Sequence, residues 1–115
     1  MAWQIPIASS STFTNIGGNS LYVASEILLA DRVYATGTNQ QIVVDGTISG
    51  SYGYGIWWDG GSNNRITVNG TGVIRSFDSH GIDISSASLT IDNHGIIYAP
   101  NVGICLLYTS DAADE

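Results

Sequence analysis

Lysine is missing altogether, and three arginines, Arg32, Arg65 and Arg75, face ten carboxylates, for a formal net charge of −7. Gripping a phosphate backbone or an anionic lipid surface takes clustered positive charge, so neither nucleic acid nor a membrane surface is expected as a partner. No apolar run approaches the roughly 18 to 20 residues of a membrane span, and no membrane insertion is expected. Residues 1–20 lack both the basic start and the apolar stretch of a secretory signal. Cysteine occurs once, at Cys105, which excludes an internal disulfide and any multi-thiolate metal site. That scarcity suits an extracellular bacterial protein and a cytosolic one equally.

The chain is instead rich in aliphatic residues: 43% of it is hydrophobic and only 11% charged, enough for 115 residues to bury a core. Those aliphatics recur in phase. Ile42-Val43-Val44-Asp45-Gly46 returns as Ile66-Thr67-Val68-Asn69-Gly70 and again as Leu89-Thr90-Ile91-Asp92-Asn93, at steps of 24 and 23 residues. Ile48, Ile74 and Ile97 form a second landmark, and Gly55-Ile56, Gly81-Ile82 and Gly103-Ile104 a third. Leu21-Tyr22-Val23, Ile27 and Ala35 anticipate the three landmarks as a degenerate first copy.

In each copy the apolar residues alternate with outward ones, as a pleated strand requires. Turn-formers such as Asp45-Gly46, Asn69-Gly70 and Asn93 lie between them. The expected fold is all-β: a parallel β-helix, or β-solenoid, of about four coils with roughly 21–26 residues each. Residues 1–20 are read as an N-terminal cap, 21–104 as the solenoid. A two-residue insertion is expected at the Asn69-Gly70 corner. An antiparallel meander turning at Asp45-Gly46 and Asn69-Gly70 is the alternative, but hairpins do not require three landmarks to recur in phase.

Asp45, Asn69 and Asp92 share one repeat position on this reading, and a column of oxygen ligands could take calcium. The competing reading is that these side chains bond local backbone N–H groups and hold the corner. His80 and His94, with Asp78, Asp83 and Asp92 nearby in sequence, match no zinc spacing and are expected in two different corners. Alternation puts Trp57 outward if Ile56 is inward; Trp57 and Trp58, with Tyr52 and Tyr54 close in sequence, could supply an aromatic strip for a polysaccharide or cell-surface ligand, or could clamp a loop. Asn69-Gly70-Thr71 matches a glycosylation sequon. No catalytic residue, cofactor site or facing pair of carboxylates is indicated, and the segment is read as non-catalytic.

The last eleven residues, Cys105 to Glu115, resemble the translation of a transposon-end adapter used in sequencing libraries. They are expected to be a disordered tail outside the fold. Ala2-Trp3-Gln4-Ile5-Pro6-Ile7, Thr12-Phe13-Thr14-Asn15-Ile16-Gly17-Gly18-Asn19-Ser20, Gln41-Ile42-Val43-Val44-Asp45-Gly46-Thr47 and Asp92-Asn93-His94-Gly95-Ile96-Ile97 resemble the N-terminal β-solenoid region of large secreted bacterial RTX, or haemolysin-type calcium-binding, proteins. The resemblance implies an extracellular location reached without an N-terminal signal. It also implies calcium bound by nonapeptide repeats downstream. Gly60-Gly61-Ser62-Asn63-Asn64-Arg65-Ile66 comes nearest to such a repeat but carries Asn63 and Arg65 where Gly and Asp are needed. A carbohydrate-active β-helix enzyme and an adhesin passenger domain are the alternative settings. A solenoid cut after Ile104 would expose its last coil and self-associate.

Overall fold

The computed structural model describes residues 3–12, 14–50, 53–77, 79–85, 87–100 and 102–106. Tyr52, Asp78 and residues 107–115, all named above, lie outside the described residues. The chain first lays down β1 (Trp3–Gln4) and β2 (Thr14–Gly17). Four rounds of three strands follow. They are β3 (Ser20–Val23), β4 (Leu28–Leu29) and β5 (Val33–Ala35); β6 (Gln41–Val44), β7 (Thr47–Gly50) and β8 (Ile56–Asp59); β9 (Asn64–Val68), β10 (Val73–Ser76) and β11 (His80–Ser85); and β12 (Leu89–Asn93), β13 (Ile96–Tyr98) and β14 (Val102–Leu106).

Every pairing is parallel and joins equivalent strands of successive rounds. The result is three sheets: sheet A in the order β1-β3-β6-β9-β12, sheet B in the order β4-β7-β10-β13, and sheet C in the order β2-β5-β8-β11-β14. This is the expected parallel β-solenoid, and the antiparallel meander is excluded. Residues 3–17 add strands beneath the first full coil, with Ser10 bridged to Leu29 between β1 and β2.

The core is a set of aliphatic columns along the solenoid axis. Leu21, Ile42, Ile66 and Ile91 stack in sheet A, Leu29, Ile48, Ile74 and Ile97 in sheet B, and Val33, Ile56, Ile82 and Ile104 in sheet C. All but Ile97 and Ile104, on the last coil, are buried. Burying one such side chain contributes about 1.5–3 kcal/mol, so the columns supply the main drive for winding the chain.

Three register expectations are corrected. Ile91, not Leu89, stands over Ile66, and Leu89 stands over Asn64. In the first coil Leu29 rather than Ile27 pairs with Ile48, and Val33 rather than Ala35 pairs with Ile56. Each correction is a two-residue slip. The pleat repeats every two residues, so which side chains point inward is unchanged, and Leu89 and Ile91 are both buried. The step from Leu29 to Ile48 is 19 residues, shorter than the expected range.

The insertion does fall at the corner leaving β9. Gly46, Gly72 and Gly95 are equivalent, since Val73 N donates to Gly46 O and Ile96 N to Gly72 O. Asp45-Gly46 and His94-Gly95 turn in two residues, whereas Asn69-Gly70-Thr71-Gly72 takes four. At the other end, Cys105 and Leu106 continue β14 opposite Asp83 and Ile84. Strand order thus runs two residues into the segment expected to be disordered.

Candidate functional site

Three surface regions bear on function, and the first is the corner leaving sheet A. Asp45 N, Asn69 N and His94 N donate to Val23 O, Val44 O and Val68 O, which places these three residues at one repeat position. Asp92 is not the third member: it pairs with Thr67 within the strand, two residues before the corner. The expected oxygen column therefore stops at two residues, and an imidazole follows.

Both carboxylate oxygens of Asp45 accept hydrogen bonds. Tyr22 Oη donates to Asp45 Oδ2 at 2.5 Å and Asn69 Nδ2 donates to Oδ1 at 2.5 Å. Thr71 Oγ1 donates to the Asp45 backbone carbonyl at 2.7 Å, so the sequon hydroxyl is part of the same tie. The hydrogen bond from Tyr22 to Asp45, with some desolvation and the nearby negative charges, pushes the Tyr22 phenol above its ordinary pKa. This corner clamps three coils together. Asp92 instead meets His94, with Nε2 at 2.9 Å from Oδ1, and both side chains are largely exposed; such a surface pair contributes little. Among the described residues no three His, Cys, Asp or Glu side chains are placed to hold a metal ion.

The second region is the outer face of sheet C. Strand alternation separates the two tryptophans. Trp58 points inward, is fully buried and sits over the small Ala35, which takes it out of any outward strip, as alternation from an inward Ile56 requires. Trp57 points outward and is half-buried. Tyr34 and Tyr54 meet its ring edge-on at centroid distances of 4.9 and 6.0 Å, and the Arg32 guanidinium lies 5.9 Å from its centroid. Tyr54 stacks in turn on His80 at 5.6 Å. Desolvation, then the hydrogen bond to Asp59, raises the Tyr34 pKa. Asp83, opposite Trp57, is buried and accepts a hydrogen bond from Ser85 Oγ at 3.2 Å. His80 starts β11 while His94 lies at the corner after β12, so the histidines do not meet.

The third region did not stand out in the sequence. At the corner between sheets C and A, Asn39 and Asn63 both adopt φ 58°, a left-handed backbone that Asn tolerates better than most residues. They stack one coil apart, with Asn63 Nδ2 donating to Asn39 Oδ1 at 2.6 Å. The next residues stack too: Asn64 Oδ1 accepts from Gln40 N at 2.9 Å, and Gln40 Oε1 accepts from Ser20 Oγ at 2.8 Å. Beside them Gln41, Arg65 and Thr90 form an outward row across β6, β9 and β12. All of these but Ser20 line a polar groove of about 290 Å³. The signal was the repeat of Asn39-Gln40-Gln41 as Asn63-Asn64-Arg65 at 24 residues, which reads as ordinary corner composition until the coils are stacked.

The chain matches no protein-family model, no curated protein and no solved structure.

Proposed function

We propose that this chain is a non-catalytic β-solenoid segment of a secreted bacterial protein of the RTX class, serving as a calcium-independent scaffold with a surface-interaction role. Calcium, on this reading, belongs to other segments of the same protein. The observation that supports it is the state of Asp45. Both of its carboxylate oxygens are taken by Tyr22 and Asn69, so the residue best placed for a cation column ties coils together instead. The Trp57 cluster supplies the outward aromatic surface that a recognition role requires. The outer edges of β12, β13 and β14 have no further strand among the described residues, and such edges favour association with another chain.

The test is thermal unfolding of the full chain in a chelator and in about 10 mM calcium. Extracellular calcium modules bind at roughly 0.1–1 mM, and a site at the weak end of that range would add about 1.4 kcal/mol. In a domain of this size that raises the melting temperature by several degrees. The scaffold reading expects the same midpoint in both conditions; a rise of that size would overturn it.

A further inference from the structure

We propose that the groove at the corner between sheets C and A is a binding site for an acidic sugar, specifically a uronic acid unit of a polysaccharide. The inference is independent of the scaffold reading and uses none of the residues that carry it.

The groove is built rather than incidental. Its wall is a two-coil stack of asparagines in left-handed conformation, Asn39 and Asn63, tied by a hydrogen bond of 2.6 Å. Asn64, which also lines it, is 3% exposed; its Oδ1 is satisfied by Gln40 N, while its Nδ2 has no hydrogen-bond partner among the described residues. Leaving a buried donor unpaired costs about 1–3 kcal/mol. Asn64 shares the inward parity of Ile66 and Val68, so that donor belongs to the interior of the corner and the ligand contacts fall to the outward side chains.

The chemistry of the lining selects the ligand. Among the described residues Arg65 is the only charged side chain in the groove. It is exposed and makes no ion pair or side-chain hydrogen bond among the described residues, so its forked donors are available to a carboxylate. Gln41 and Thr90 flank it in register on the neighbouring strands, and amides and hydroxyls both donate and accept, as a sugar's hydroxyl groups do. Among the described residues no aliphatic or aromatic side chain lines the groove, which leaves nothing there to hold the apolar side chains of a peptide. One arginine on a chain of net charge −7 suits a monoanion better than a phosphate, whose second charge would meet a repulsive field.

The experiment is calorimetric titration of the full chain with a short oligosaccharide carrying a single uronic acid unit and with the neutral oligosaccharide of the same length. The acidic oligomer is expected to bind about tenfold more tightly, the worth of one charge-assisted contact. Arg65→Gln is expected to remove that preference, while Arg75→Gln, on the outer face of sheet B, changes neither affinity. Arg65 is exposed, so an unchanged melting curve for Arg65→Gln confirms that the loss is one of binding. Equal affinity for both oligomers, no detectable binding of either, an unaffected Arg65→Gln protein, or equal binding of an acidic peptide would each overturn the proposal.

Discussion

Ile74→Ala is expected to cost about 3–5 kcal/mol in urea unfolding, the upper range for a large-to-small change in a closed core. Ile74 is fully buried, with Ile48 beneath it and Ile97 above. The strands on both sides are fixed by their ladders, so the space cannot collapse and the cavity adds to the lost transfer free energy. Against a total stability of about 5–15 kcal/mol for a single domain, this loss brings the protein close to unfolding at room temperature. Ile97 holds the same position one coil later but is only partly buried, and Ile97→Ala is expected to cost about 1 kcal/mol, chiefly the smaller area returned to water. The contrast between two chemically identical substitutions measures how far the core column is closed. Equal losses would mean that the coils do not stack as described.

The second large effect comes from a pair of adjacent glycines. Gly60 and Gly61 both have positive φ, 86° and 87°. A Cβ at Gly60 would meet nothing within 4 Å, whereas one at Gly61 would lie 2.0 Å from Gly37 O and 3.1 Å from Thr36 O. Gly60→Ala therefore carries only the backbone penalty, about 1–2 kcal/mol. Gly61→Ala adds a clash with backbone that belongs to the coil beneath and cannot move aside without breaking its own pairing. Its cost is expected to reach about 4 kcal/mol or more, in the range reserved for overpacking joined to strain. Chemical denaturation of the two variants side by side separates the terms, and similar losses would show that no neighbouring coil approaches Gly61.

The solenoid was legible because stacked coils must repeat the same side chain in the same place, and the Ile48, Ile74 and Ile97 column does so at matching positions. Register was harder. Leu89 and Ile91 have the same parity and are both apolar, so the sequence offers two ways to lay β12 on β9, differing by two residues. Hydrogen bonding of β12 along Asn64 to Val68 decides between them, and no single-strand pattern contains that information. The slip was harmless for the core but moved Asp92 off the corner position that Asp45 and Asn69 share. Trp57 and Trp58 show the opposite case: alternation from Ile56 already puts Trp57 outward, and the same parity turns Trp58 inward. The groove was not legible because its residues are typical turn formers, and what distinguishes them is the stacking of one corner upon the next.

The in-register stacking of the coils is tested most directly by disulfide formation across sheet A, in a Cys105→Ser background. Thr67 and Asp92 face each other on adjacent strands, about 4.8 Å apart at Cα and within the range a disulfide spans. Thr67→Cys with Asp92→Cys is expected to oxidise to an intramolecular disulfide in the folded protein. Thr67→Cys with Thr90→Cys, displaced by a further ~6.6 Å along the strand, is expected to remain reduced. Cross-linking of the second pair and not the first would contradict the register, and with it the assignment of every corner described above.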